Sequence, residues 1–167
     1  LSDPTGKNWK SAEMLDRVVC QFSDDGGKSW ANESYFGFAH PKDQDKEWAA
    51  VDLKTNRIAV AWTQFDKYKS SDTAHKSNIL FTQSTDRGKT WQTPISLNKT
   101  RGFCMDDDET TEGAVPCFGP GGEMYVAWAV NKIIYFDFSA DGGKTWQAED
   151  IFVADQHAGW DFEIPGL

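Results

Sequence analysis

Carboxylates are the side chains best placed to do chemistry in this 167-residue chain. Glu47 stands just before the apolar run Trp48 to Val51, Glu112 before Gly113 to Pro116, and Asp161 before Phe162 to Pro165. Each acid therefore sits at the entry to a short strand-like segment. Carboxyl groups gathered at one opening can coordinate a hard cation, hydrogen-bond sugar hydroxyls, or supply a general acid where burial raises a pKa. They can equally be solvated charges at the mouth of a channel. Asp106-Asp107-Asp108-Glu109 packs four more acids upstream of Glu112, a density that costs repulsion unless water, salt or a divalent ion screens it. Calcium is the cation weighed for Asp106, Asp107, Asp108 and Glu112, although their spacing does not follow the EF-hand loop. An acidic run of this kind is also an ordinary solvated loop. No cofactor is otherwise required.

Other catalytic constellations are missing from the sequence. No Ser-His-Asp order, Cys-His pair, glycine-rich phosphate loop or zinc spacing occurs, and His40, His75 and His157 are scattered. His75 lies in the polar stretch Asp66 to Ser77, where a surface histidine is the simpler reading. A formal net charge of −9 opposes nucleic acid and anionic membrane surfaces as partners. No stretch reaches the roughly 20 apolar residues of a transmembrane helix, and the first ten residues lack the apolar core of a signal peptide. The chain reads as mature, trimmed or excerpted. Cys20, Cys104 and Cys117 are an odd count; Cys104 and Cys117 could pair in an exported protein or remain separate thiols. Asn32-Glu33-Ser34 and Asn98-Lys99-Thr100 are formal glycosylation acceptors of a pattern that is common by chance.

The elements that must hold these acids announce themselves by repetition. SDDGGKSW from Ser23 to Trp30, STDRGKTW from Ser84 to Trp91 and SADGGKTW from Ser139 to Trp146 share the pattern S-x-D-x-G-K-[ST]-W. Their starts are 61 and 55 positions apart, the scale of one four-stranded propeller blade with its loops. The Asp carboxylate (Asp25, Asp86, Asp141) can accept backbone N–H groups across a tight hairpin. The Gly two residues on (Gly27, Gly88, Gly143) supplies a positive φ. The Trp (Trp30, Trp91, Trp146) folds back over the turn. Arg57 to Trp62 and Glu123 to Trp128, both ending in Val-Ala-Trp, form a second repeat that reads as second strands. Eight Trp, eleven Phe and fourteen Gly suit many short strands joined by tight turns.

The octapeptide resembles the Asp box, or BNR repeat, of the sialidase superfamily. That resemblance implies an all-β propeller, six- or seven-bladed when complete, with each box joining the third and fourth strands of a blade at the outer rim. About two and three-quarter blades are expected: the end of blade one over 1–44, blade two over 45–103, blade three over 104–158, and the first strand of another blade over 159–167. About eleven strands are expected in all. Further blades would come from the rest of a longer chain or from another copy. In this family the ligand lies over the central axis, where first strands converge, so Glu47, Glu112 and Asp161 are expected at equivalent positions around one channel mouth.

By resemblance the activity is that of an exo-acting glycoside hydrolase of the exo-α-sialidase kind, acting on a carbohydrate or glycoconjugate. The setting would be secreted, periplasmic or at the cell surface. The alternative is a non-catalytic binding or scaffolding propeller. Sialidases grip a carboxylate with three arginines, the first usually in an F/Y-R-I-P sequence. The nearest match here is Phe162-Glu163-Ile164-Pro165, with Glu163 in the arginine's place. Only Arg17, Arg57, Arg87 and Arg101 are present, and none is assigned to the triad by motif. Tyr35, Tyr68, Tyr125 and Tyr135 carry no motif support as nucleophiles, and Tyr125, beside the Val-Ala-Trp signature, is expected in the core.

Overall fold

A computed structural model describes residues 16–31 and 33–157. Ten strands lie in three antiparallel sheets. β1 (Val18–Cys20) and β2 (Ser34–Phe36) form the first; β3 (Asp43–Asp52), β4 (Arg57–Phe65), β5 (Ser77–Ser84) and β6 (Ile95–Ser96) the second. β7 (Glu112–Phe118), β8 (Met124–Val130), β9 (Ile133–Ser139) and β10 (Ile151–Asp155) complete the third. Within each four-stranded sheet the strands follow chain order, as in a propeller blade. β3 starts at Asp43, two residues ahead of the expected boundary. The eleventh expected strand lies outside the described residues.

The blades stack because each second strand is apolar on two faces. β4 alternates Ala59 and Ala61 toward blade three with Val60 and Trp62 toward blade one, and all four are buried. Ala59, Ala61, Ile79, Phe81 and Leu97 of blade two meet Met124, Val126, Trp128 and Val130 of blade three in one cluster. Fully burying each large member of such a cluster is worth about 1.5–3 kcal/mol. On the far face of blade three, Phe136 and Phe138 stack at 6.1 Å between centroids and are only half-buried.

The three octapeptides form the same turn. Asp141 Oδ1 accepts the Lys144 and Thr145 backbone N–H groups at 3.0 and 2.9 Å, and its Oδ2 accepts the Thr145 hydroxyl at 2.7 Å. Ser139 Oγ accepts the Gly143 N–H at 2.7 Å. Asp25 and Asp86 repeat these contacts. Hydrogen bonds from Thr90 and Ser84 hold the Asp86 carboxyl down to about 2, and those from the neighbouring hydroxyls and amides hold Asp25 and Asp141 low as well.

The turn glycine of the second and third boxes also packs between blades. A Cβ at Gly143 (φ +91°) would meet Gln83 at 3.1 Å and Phe81 at 3.3 Å; one at Gly88 (φ +80°) would meet Cys20 Sγ at 2.9 Å. Cys20 and Phe81 hold the same place in the third strands of their blades, so the second and third boxes are each pressed on the blade before them. Trp146 completes the contact edge-on to Phe81, with centroids 4.9 Å apart.

Two first strands carry matching irregularities. In β3, Asp45 pairs with Thr63 and Trp48 with Ala61, so Lys46 and Glu47 together face the single residue Trp62. In β7, Glu112 pairs with Ala129 and Val115 with Ala127, so Gly113 and Ala114 share Trp128. These are β-bulges opposite the tryptophan of each Val-Ala-Trp repeat, and the first bulged residue has positive φ in both, Lys46 at 53° and Gly113 at 70°. This register corrects the expected equivalence: the counterpart of Glu112 is Asp45, and Glu47 corresponds to Ala114.

Arg57, at the start of β4, ties blade two to the turns of blade three. Its guanidinium donates to Gly142 O at 3.1 Å and Gly122 O at 3.0 Å and lies 4.9 Å over the Phe118 ring. Replacing Arg57 with Met leaves Gly122 O without its donor and Gly142 O with Gln83 Nε2 alone, at 3.0 Å, and urea unfolding is expected to show a loss of about 1.5–3 kcal/mol. An Arg101→Met control at an exposed position is expected to stay within about 0.5 kcal/mol of wild type. Equal stabilities would contradict the clamp.

Candidate functional site

The sheet registers separate the molecule into two ends. Ile58 pairs with Ser84 beside the second Asp box, while Phe65 pairs with Asp43 and Ser77 at the opposite end. That opposite end carries the starts of β3 and β7, the 66–76 loop and the 98–111 connection between blades two and three. It is the end at which Asp45, Glu112 and the acidic loop sit.

The 98–111 connection is held by buried polar groups. Asn98 Oδ1 accepts the Ile79 N–H at 2.7 Å, and Asp150 accepts the Lys99 and Thr100 N–H groups. Gly102 N donates to Thr111 Oγ1 at 2.7 Å, Thr111 N donates to Ser77 Oγ at 2.9 Å, and the Thr63 hydroxyl donates to Thr111 O at 3.1 Å. A Cβ on Gly102 would come within 2.4 Å of Thr111 N, so glycine is required there. This anchoring fixes Glu112 one residue beyond Thr111. It also buries Asn98, which is 5% exposed and hydrogen-bonded, and so closes that glycosylation acceptor in the folded chain. Asn32 of the other acceptor lies outside the described residues.

Four groups from three segments meet at the mouth. Lys46 Nζ, projected by the β3 bulge, lies 2.5 Å from Glu112 Oε2 and 3.6 Å from Asp106 Oδ1. The Tyr68 hydroxyl donates to Asp106 Oδ2 at 2.6 Å. Glu112 Oε1 and Asp106 Oδ1 are buried without a hydrogen-bond partner. Burial, reinforced by the Asp106 carboxylate and opposed by the Lys46 ammonium, pushes the Glu112 carboxyl up to about 7. Burial also disfavours ionised Asp106, but the Tyr68 hydroxyl, the neighbouring Glu112 carboxyl and Lys46 outweigh it and keep that carboxyl low. The Asp106 hydrogen bond in turn pushes the Tyr68 phenol up to about 12, away from the ionisation a tyrosine nucleophile needs.

Two openings flank this cluster. One, of about 430 Å³, is bordered by Lys46, Asp107, Asp108, Glu112, Gly113 and Gln156. The other, of about 560 Å³, lies between blade one and β3 and is bordered by Arg17, Asp43, Asp45, Glu47 and Tyr68. Glu47 is exposed on that side, away from Glu112. Asp161 and Glu163 lie outside the described residues.

The acidic loop does not form a calcium cage. Asp107 Oδ1 caps the Glu109 N–H at 3.0 Å, Asp108 pairs with Lys132 at 3.3 Å, and the Thr110 hydroxyl oxygen caps the Asp106 and Asp107 N–H groups. Lys46 supplies positive charge between Asp106 and Glu112, where a cation would have to enter. No three acids, histidines or cysteines converge on a metal position among the described residues. The residues present therefore do not fit calcium.

The remaining singled-out residues have structural surroundings. Arg17 pairs with Glu33 at 3.0 Å and lies 4.0 Å over Tyr35; Arg57 is the interblade clamp; Arg87 sits in an Asp-box turn and Arg101 is exposed. His75 Nδ1 shares a 2.7 Å hydrogen bond with Ser70 Oγ. Tyr125 stacks on Phe138 at 6.2 Å. The cysteines are all free, with Cys104 buried beside the 66–76 loop and Cys117 exposed on β7, so no Cys104–Cys117 disulfide forms. Asp45 and Lys46 carry no mark in the sequence, and Tyr68 stands there only among the tyrosines without motif support. For Asp45 and Lys46 the one signal is the Val-Ala-Trp repeat, taken as the anchor for aligning first strands across a bulge.

The BNR/Asp-box repeat family matches residues 21–32 and 137–148. No curated protein sequence matches the chain. Among solved structures, the fold is similar to a Hadza microbial sialidase, Hz136, at 18% identity and a TM-score of 0.56, covering 78% of this chain and 30% of that one. It is similar also to a mutant NanB sialidase from Streptococcus pneumoniae at 9% identity and a TM-score of 0.55, covering 85% of this chain and 40% of that one. The chain thus spans well under half the length of these structures. No helix among the described residues is long and apolar enough to cross a membrane. The repeated turns, the four-stranded blades and these likenesses together identify the chain as part of an Asp-box β-propeller with the sialidase fold.

Proposed function

We propose that this chain forms part of a carbohydrate-directed propeller, an exo-acting glycoside hydrolase in which Glu112 donates the proton to the leaving oxygen. Its setting would be secreted, periplasmic or at the cell surface, and its remaining blades would come from the same chain or another copy. The feature that carries the reading is Glu112 itself: a carboxyl half-sequestered at the start of a first strand, beside an opening, with burial and the neighbouring Asp106 raising its pKa. A general acid needs that combination of reach and pKa. Asp106 stays ionised beside it, so the two carboxyls are driven apart in protonation by their surroundings. A non-catalytic binding propeller is the second reading, favoured by arginines that are spent on structure and by Glu163 in the arginine position of the F/Y-R-I-P pattern.

In the full chain, turnover of aryl glycosides is expected to fall as pH rises through about 7, where Glu112 gives up its proton. Glu112→Gln is expected to lower kcat by about 10²–10⁴-fold with binding retained. Undiminished turnover in that variant would remove Glu112 from the chemistry, and binding without turnover in the wild type would establish the second reading. Lys46→Met removes the ammonium that favours ionised Glu112. The Glu112 midpoint, followed by carboxyl ¹³C NMR, is therefore expected to move above about 7. A midpoint that falls or stays put would refute the proposed role of Lys46.

A further inference from the structure

We propose that Tyr68 decides where a single proton sits in the facing pair Glu112 and Asp106: its hydroxyl, donated to Asp106, keeps that carboxyl an acceptor and leaves the proton on Glu112. The inference rests on the general-acid reading of Glu112 and gives a part to a residue which that reading leaves idle. Two oxygens carry it. Glu112 Oε1 and Asp106 Oδ1 are both buried, and neither has a hydrogen-bond donor. The two side chains are close enough to hydrogen-bond each other, yet two carboxylates offer only lone pairs. One proton between them satisfies both oxygens and removes a like-charge contact that burial makes costly.

The other two oxygens set the direction. Lys46 Nζ, from the β3 bulge, lies 2.5 Å from Glu112 Oε2 and 3.6 Å from Asp106 Oδ1, so on its own it favours ionised Glu112. The Tyr68 hydroxyl, 2.6 Å from Asp106 Oδ2, favours ionised Asp106 instead. Asp45 on β3 adds negative charge near Asp106 and Tyr68, Asp107 is turned to the Glu109 N–H, and Asp108 is paired with Lys132. The phenol is firmly held: its ring packs edge-on to the buried Phe65, with centroids 5.2 Å apart, and the Tyr68 N–H donates to Asp43 Oδ2 at 2.9 Å. Asp106 is held too, its backbone at φ +67° and its N–H on Thr110 Oγ1 at 3.0 Å. The choice between the carboxyls matters because Glu112 borders an opening and Asp106 borders neither. A proton moved to Asp106 is out of a ligand's reach. Tyr68 is thus a positioning residue that acts through Asp106.

The test follows both carboxyls by ¹³C NMR in the full chain, with turnover of an aryl glycoside measured alongside. In the wild type the step near pH 7 is expected on Glu112, with Asp106 silent. Tyr68→Phe keeps the ring on Phe65 and loses the hydroxyl. The same step is then expected on both carboxyls, with Asp106 taking at least about a fifth of the amplitude. Turnover on the acid side of the step is expected to fall in proportion to the share Glu112 loses, with KM unchanged. Asp106→Asn cannot take the proton, so in that background Tyr68→Phe is expected to change neither the Glu112 step nor turnover. A step shared by both carboxyls in the wild type overturns the inference whatever the stability of the variants. So does a step confined to Glu112 in Tyr68→Phe, or an equal loss of turnover from Tyr68→Phe with and without Asp106→Asn. The NMR measurement needs no turnover: an inactive wild type or an active Glu112→Gln variant removes the general-acid reading, while the two carboxyl signals still decide where the proton sits.

Discussion

The arrangement around Glu112 depends on a single constraint of strand pairing: in blades two and three, two residues of the first strand must share one tryptophan of the second. Trp62 and Trp128 sit opposite the bulges of β3 and β7, and both are buried, so the ladders on either side cannot slide without moving a core aromatic. Slippage by one residue would exchange the faces of every side chain beyond it. The bulge turns Lys46 out toward Glu112 on the neighbouring blade and leaves Ala114 inside the core. The same irregularity thus sets which acid of each blade reaches the mouth and which small residue packs below it.

The opposite end is organised by a different economy. Each Asp-box aspartate satisfies amides and a hydroxyl of its own turn, so the turn is stiff before it touches anything else. Stiffness lets the turn present a bare glycine to the preceding blade, with Cys20 against Gly88 and Phe81 against Gly143. Rim and mouth are therefore separate: the boxes set the spacing of blades, and the loops at the other end are left to carry charge. An Asp box says much about fold and nothing about chemistry, in keeping with sites being placed on folds.

Much of the architecture was legible because it repeats. The octapeptide and the Val-Ala-Trp ending locate third and second strands in blades two and three, and the remaining strands follow from turn residues between them. The site was less legible because bulges are nearly silent in sequence. In β7 a glycine, Gly113, marks the left-handed residue; in β3 the same conformation is adopted by Lys46, which carries no such mark. Aligning the strands on their leading acids consequently paired Glu47 with Glu112, where the register pairs Asp45. Tyr68 reaches the site through a polar loop without periodicity, and no spacing rule links it to Asp106. The acidic loop invited a metal by composition, but composition could not reveal that Thr110, Lys132, Lys46 and Tyr68 already attend to its carboxylates.

Around Glu112 the neighbours drive the two carboxyls apart: the Tyr68 hydroxyl, Glu112 and the Lys46 ammonium lower the Asp106 pKa, and burial beside Asp106 raises that of Glu112. All of it presupposes the bulged register. A crystal structure of the full chain tests that register most directly. The account predicts Asp45 opposite Thr63 and Glu112 opposite Ala129, with Lys46 reaching across to Glu112. A continuous β3 ladder placing Glu47 opposite Ala61, with Lys46 turned away from Glu112, would contradict it.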